Sequence, residues 1–278
     1  MIAFRGEEPT KHISNAVGVS LQSHMLMILI VDFHFRSDSM SSSTKVAVIT
    51  GATGALGRVA VKAFLNHGMR VVSTYRSEEK QNKLIGFLGE ASTVLISIKT
   101  DVTNEADVQA LFQKVVEEYG RVDILLNIVG AYKGGAEIAN TKEDDWDSMM
   151  SINLKSAFLC SKAALPHMMT QNYGRIINVA SRTALEKRYR SKSGAYAVSK
   201  AGVVVLTETI AEEVKKYDIN VNCILPSTID TPDNRQVLPE ADFSKWVKPE
   251  QIAKVLLFLV SEDSGTISGA SIPVYGKA

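Results

Sequence analysis

The stretch KVAVITGATGALGRV, residues 45–59, runs an apolar segment into a turn that carries Gly51, Gly54 and Gly57, and then into a helical pattern. Val46, Ala47, Val48 and Ile49 are apolar at consecutive positions, which implies burial on both faces, as in a strand of a parallel sheet covered by helices. Glycines at such a strand-to-helix turn let the backbone bend tightly and approach a pyrophosphate, whose charge then meets the N-terminus of the helix. The spacing is not GxGxxG and no Gly-Lys-Ser/Thr follows, so the P-loop reading fails. By itself the turn fits nucleotide binding and a purely structural bend equally well.

Downstream the same alternation repeats. RVVSTY (70–75), VLISIKTD (94–101), VDILLNIVG (122–130), GRIINVAS (174–181), INVNCIL (219–225) and ASIPVY (270–275) predict strands, and helical patterns fall over about 55–67, 78–89, 104–119, 143–171, 195–217 and 249–261. Strand and helix in alternation predict an α/β fold: a Rossmann-type doubly wound sheet of about seven parallel strands with helices on both faces. No repeat, low-complexity linker or composition break divides residues 44–278, which are expected to form a single domain. Residues 1–43 read as an N-terminal extension, disordered or loosely docked, and residues 1–39 equally as the result of a translation start upstream of Met40. Their apolar run, Met25 to Val31, is far shorter than the ~20 residues that span a bilayer. It follows Glu7 and Glu8 and leads to no small-residue cleavage site, unlike a secretory signal.

Composition narrows the partners. Thirty-one basic and thirty acidic residues leave a net charge of +1, so no global field draws the chain to nucleic acid or to a membrane. A small neutral or modestly charged molecule fits better. Cys160 and Cys223 sit far apart in apolar segments with no His cluster at metal spacing. They read as buried free thiols in a reducing, cytoplasmic compartment, with no metal site.

About twenty residues past the glycine turn, an acid would grip a ribose 2′-hydroxyl. Here STYRSEE places Arg76 instead, and a guanidinium there suits a 2′-phosphate, so NADP is favoured and NAD is the alternative. Glu78 and Glu79 belong to the first turn of the next helix, where they suit its dipole.

In GAYAVSK, residues 194–200, Tyr196 and Lys200 stand four apart on one helical face. A free tyrosine, with pKa near 10, is a poor acid at neutral pH, but an adjacent ammonium stabilises the phenolate. Such a tyrosine can exchange a proton with a carbonyl or alcohol oxygen. The pair alone arises often by chance; its company decides.

That company is TGATGALG (50–57), DVT at Asp101–Thr103, LLNIVG at Leu125–Gly130, SINL around Asn153, GRIINVAS ending at Ser181, and YAVSK. Together these resemble a short-chain dehydrogenase/reductase over essentially Lys45 to Gly276, with the motifs in order and at the right intervals. The resemblance implies that Tyr196 is the general acid/base and that Lys200 lowers its pKa while holding the nicotinamide ribose. It implies that Ser181 hydrogen-bonds the substrate oxygen, and that Asn153, in a kinked helix, holds a water linking Lys200 to solvent. It places Asp101 at the adenine, Asn127 and Gly130 along the ribose, and Ile229 and Thr231 at the nicotinamide carboxamide. Gly51, Thr53, Gly54, Leu56, Gly57, Tyr75, Arg76, Val102 and Pro226 complete the implied cofactor contacts. A homotetramer or homodimer packed through the helices near 143–171 and 195–217 is implied as well. Ala55 departs from the family's second glycine, Ile128 and Val129 from a polar–small pair, Ser227 from glycine, and PVYGKA from an Asp-Gly-Gly ending; none removes a catalytic group.

The substrate end is less legible. RTALEKRYRSKSGA (182–195) gathers Arg182, Lys187, Arg188, Arg190 and Lys192 around Glu186; it reads as a solvated basic loop, or as an attractor for an anionic acyl thioester. Tyr132, Tyr189 and Trp246 are candidate apolar walls, with Tyr132 and Tyr189 expected beside the substrate. DTPDNRQVLPEADFSKWVKPEQIA (230–253) resembles the corresponding stretch of dihydropteridine reductases. That group generally lacks a serine at the Ser181 position and favours NADH, so Ser181 and Arg76 pull toward an ordinary carbonyl or 3-oxoacyl reductase, with pterin reduction second. A non-catalytic nucleotide-binding sensor or scaffold would be expected to have lost Tyr196 or Lys200, and both are present.

Overall fold

The first strand buries alternate side chains into two different cores, Val46 and Val48 into one and Ala47 and Ile49 into the other, which is why its sequence is apolar at consecutive positions. The computed structural model describes residues 44–277; the expectations for residues 1–43 lie outside the described residues. In chain order the elements are β1 (Val46–Thr50), α1 (Ala55–Asn66), β2 (Arg70–Tyr75), α2 (Glu78–Leu88), β3 (Leu95–Lys99), α3 (Glu105–Tyr119), β4 (Ile124–Asn127) and α4 (Glu143–Met149). A π-helical turn, Met150–Lys155, joins α4 to α5 (Ser156–Thr170). Then come β5 (Gly174–Val179), α6 (Arg182–Leu185), α7 (Gly194–Glu213), β6 (Ile219–Pro226), α8 (Pro232–Val237), α9 (Pro249–Val260) and β7 (Ser271–Val274).

Among the described residues the sheet has seven strands in the order β3-β2-β1-β4-β5-β6-β7, all paired in parallel. Val72, Val48, Leu125, Ile176 and Val221 are register partners across five strands and all enter one core, beneath Leu111 and Phe112 of α3 and Leu159 and Met168 of α5. The alternate row, with Ile49, Leu126 and Ile177, enters the other core, under Phe64 of α1 and Ile252 and Leu256 of α9. Each such side chain adds about 1.5–3 kcal/mol of burial.

Helix boundaries follow local chemistry. Ser77 and Asn104 cap α2 and α3 by accepting from Lys80 N and Asp107 N, and Gly120, at φ 70°, ends α3. The helical pattern over 143–171 forms α4 and α5 joined by the π turn that contains Asn153, the residue for which the resemblance implies a kinked helix.

The chain winds outward from β1 in one direction through β2 and β3, then restarts at β4 and winds the other way. At this reversal the loops after β1 and β4 part, which opens a crevice at the carboxyl ends of the strands. Among the described residues no helix is long and apolar enough to cross a membrane, and no group of three or more His, Cys, Asp or Glu is placed to hold a metal ion.

Candidate active site

The glycine turn forms one wall of the crevice. Gly51 has φ +70°, and a Cβ on Gly57 would fall 2.0 Å from the Gly51 carbonyl oxygen, so both positions require glycine. Gly54 N donates to that same oxygen at 3.0 Å and closes the turn. The first turn of α1 carries no acid, and its N-cap residue, Gly54, makes no side-chain cap bond, which leaves the helix N-terminus open to an anion. Thr50 fixes the neighbouring wall: its Oγ1 donates to Leu126 O and accepts from Ile128 N at 3.1 Å. A cradle without side chains beneath an open helix end fits a dinucleotide pyrophosphate.

At the ends of β2 and β3, Arg76 is exposed, and the Asp101 carboxylate accepts from Thr103 N at 2.9 Å and Thr103 Oγ1 at 2.7 Å. Those two hydrogen bonds hold Asp101 below the usual carboxylate range, with smaller help from the charges of Arg76 and Lys155.

The reacting groups come from β5, the π turn and α7. Ser181, just beyond β5, caps α6 by accepting from Thr183 N and is hydrogen-bonded to Tyr196. Burial raises the Tyr196 phenol above its ordinary value, the Ser181 bond acts to lower it, and Tyr132 adds to the rise. Tyr132 packs edge-on against the Tyr196 ring, with centroids 5.0 Å apart at 79°. Lys200, one turn along α7, is buried and donates to Val179 O at 2.7 Å; burial brings its ammonium down to about 8. Asn153 is buried in the π turn, accepts from Ala131 N at 2.9 Å, and donates to Ala131 O at 3.1 Å and Ser199 Oγ at 3.0 Å. Gly130 shows how closely these groups converge, since a Cβ there would lie 3.1 Å from both Asn153 Oδ1 and Lys200 Nζ.

A cleft of about 810 Å³ joins these parts. Gly51, Thr53, Gly54, Leu56, Gly57, Tyr75, Arg76, Asp101, Val102 and Gly130 line it, together with Tyr132, Ser181, Tyr189, Tyr196, Lys200, Pro226 and Ile229. Asn153, expected among the catalytic residues, stands behind this lining, and two expected cofactor residues, Asn127 and Thr231, are not part of it. The Asn127 side chain donates to Asn178 Oδ1 at 2.8 Å and Ser161 Oγ at 3.1 Å, inside the sheet. Asn178 in turn donates to Thr207 Oγ1 at 2.9 Å, so a buried polar chain ties β4 through β5 to α7, the helix of Tyr196 and Lys200. Thr231 caps α8, accepting from Asn234 N at 3.2 Å.

Trp246 is buried against Phe243, with centroids 4.8 Å apart, and is not a cleft wall. Most of the basic loop is solvated, since Lys187, Arg188, Arg190 and Lys192 are exposed, but Arg182 and Arg190 also have protein partners. Arg190 donates to the carbonyls of Thr183 and Ala184 at 2.8 and 2.6 Å, and Arg182 lies over Tyr189 and Tyr275 at 4.1 and 4.7 Å. The sequence reading missed Thr50, Asn178, Ser199 and Thr207, which position the site from within the core.

Fold and site together define a doubly wound dinucleotide-binding protein with a hydroxyl pair, Ser181 and Tyr196, poised at the end of the cleft. The family model for short chain dehydrogenase matches residues 45–242. The chain is 33% identical to the (2S)-[(R)-hydroxy(phenyl)methyl]succinyl-CoA dehydrogenase subunit BbsD of Thauera aromatica, over 85% of this chain and 97% of that one. It is 32% identical to the 3-oxoacyl-[acyl-carrier-protein] reductase FabG of Thermotoga maritima, over 84% and 96%. The solved structure of ElxO with NADP bound superimposes with a TM-score of 0.79 at 27% identity, over 84% of this chain and 98% of that one. The chain belongs to the short-chain dehydrogenase family and is an NAD(P)-dependent oxidoreductase acting on an alcohol–carbonyl pair.

Proposed function

We propose that the chain is an NADP-preferring reductase that interconverts a carbonyl, of a 3-oxoacyl thioester or small ketone, with a secondary alcohol. The observation that carries this reading is the convergence of Ser181, Tyr196 and Lys200 on one cleft. Ser181 and Tyr196 line that cleft, where their hydroxyls would donate to a single carbonyl oxygen. As negative charge grows on that oxygen, such preorganised donors stabilise it, and Tyr196 passes its proton across. Lys200 supports the phenolate left behind and contacts the nicotinamide ribose, and Asn153, held by Ala131 and Ser199, positions a water that links Lys200 to solvent.

Bound nicotinamide supplies or accepts the hydride. Gly51, Thr53, Gly54, Leu56 and Gly57 would hold the pyrophosphate, and Arg76, beside Tyr75, the 2′-phosphate. Asp101 and Val102 would hold the adenine, Gly130 the ribose, and Pro226 and Ile229 the nicotinamide. NADP bound to the structural relative ElxO supports the preference that Arg76 expresses.

Cytoplasmic residence and a homotetramer or homodimer complete the proposal. Exposed Phe158 on α5 and Val198 and Val205 on α7 supply an apolar face for the contact between copies. The test is steady-state oxidation of NADPH and NADH with acetoacetyl thioesters and simple ketones, on the native chain and on Tyr196→Phe. Turnover in the first and at least a thousandfold loss in the second is the expected result. Retained turnover in Tyr196→Phe would remove the assigned role.

A further inference from the structure

We infer that one substituent on the reacting carbonyl is an uncharged apolar chain or ring, held by Tyr132, Tyr189, Val237 and Leu238. This deepens the reading above, because it takes the carbonyl oxygen to sit at Tyr196. Four large apolar side chains are exposed on the cleft wall, at 67% for Tyr132, 38% for Tyr189, 75% for Val237 and 49% for Leu238. Isolated exposed apolar residues are ordinary, whereas a group converging on one cleft marks an apolar ligand. Tyr132 ties this group to the chemistry, since its ring touches that of Tyr196.

Several polar side chains nearby, those of Thr183, Asn234 and Ser227, already have partners. Thr183 Oγ1 is bonded to Ser181 Oγ at 3.3 Å, Asn234 Nδ2 donates to Ile229 O at 2.8 Å, and Ser227 Oγ donates to Tyr275 O at 2.7 Å. Arg182 is stacked on two tyrosines and lies 3.8 Å from Glu186. Asp101 is the carboxylate among the cleft-lining residues, and it is tied to Thr103 beside Arg76. A sugar or polyol would therefore give up water hydrogen bonds here for few replacements. A hydrocarbon substituent gains with every methylene covered.

The test reads binding without chemistry. A secondary alcohol cannot react with NADPH, so the protein–NADPH complex is titrated with the series from propan-2-ol to octan-2-ol, with NADPH fluorescence as the signal. Affinity is expected to rise about two- to fourfold per methylene. Val237→Asp and Leu238→Asp, both at exposed positions, should flatten that series, while Val94→Asp, exposed but outside the cleft, should not. Dissociation constants that do not change with chain length, or tighter binding of xylitol or glucose than of octan-2-ol, would overturn the inference. Reduction of the matching 2-ketones is assayed in parallel. Graded binding with no turnover of any ketone or acetoacetyl thioester would leave the apolar subsite standing and sink the catalytic reading. Turnover of short ketones with flat binding would do the reverse.

Discussion

Replacing Gly57 with alanine puts the largest predictable stress on the cofactor cradle through a single methyl group. The added Cβ would lie 2.0 Å from the Gly51 oxygen, 2.7 Å from its carbonyl carbon and 2.8 Å from the Ala52 Cα, where ordinary contact begins at 3.4 Å. All three atoms are backbone, so no side chain can rotate away, and α1 must separate from the turn by more than an ångström. The same oxygen closes the turn by accepting from Gly54 N, so the separation opens the cradle itself. Forced overpacking of this kind costs about 2–4 kcal/mol, which lowers the melting temperature by about 5–12 °C in a domain of this size. NADPH affinity should fall at least tenfold, about 1.4 kcal/mol. Thermal melts by circular dichroism and NADPH fluorescence titration measure the two effects. Ala55→Gly is the internal control: it adds no atoms, and a glycine in a helix costs at most about 1 kcal/mol. A Gly57→Ala protein that melts within a degree of the native chain and binds NADPH as well would refute the steric reasoning.

Arg76→Glu should shift the ratio of NADPH to NADH efficiency toward NADH by about ten- to a hundredfold, the scale of one charge-assisted contact; an unchanged ratio in steady-state kinetics would make Arg76 a bystander. Asn153→Ala removes the side chain that spans Ala131 and Ser199 and should cost about 2–4 kcal/mol in urea unfolding, since buried backbone groups lose their partners. Lys200 has a folded value of about 8, below its ordinary 10.5, so the unfolded chain binds more protons between those values. Its contribution therefore makes stability rise with pH across that window and stay at its lowest below about pH 8. Denaturant titrations at pH 7, 8.5 and 10 should show this rise in the native chain and not in Lys200→Met, and turnover should decline above pH 8 as the ammonium is lost. Parallel pH profiles in the two proteins would rule out Lys200 as the titrating group.

How far the sequence carried depends on which physical signal each feature leaves. Strands of a helix-covered parallel sheet leave short runs rich in aliphatic and β-branched residues, so all seven appear within a few residues of where the sequence reading puts them. The groups that react are similarly legible, because Ser181, Tyr196 and Lys200 sit in motifs whose order survives the fold, and all three line one cleft. The π turn leaves no trace in the periodicity, which runs on through 143–171; the signal that points to an irregularity there is the motif around Asn153. The basic loop is solvated at Lys187, Arg188, Arg190 and Lys192, as its sequence suggests. What a one-dimensional pattern does not carry is that Arg190 also donates to two carbonyl groups and that Arg182 is buried against two tyrosine rings.

Asn127 makes the sharpest case, because the same residue reads as cofactor contact in the motif and as framework in the fold. It is the register partner of Asn178, so the two side chains project from the same face of the sheet. That face is the one covered by α5 and α7, where the amides meet Ser161 and Thr207. A strand's period of two fixes that neighbouring side chains oppose one another, but not which face is the cleft side. Once the face is known, the role changes. Asn127 anchors, through Asn178 and Thr207, the helix whose first turns carry Tyr196 and Lys200, so its effect on the chemistry is exerted by holding α7 against the sheet.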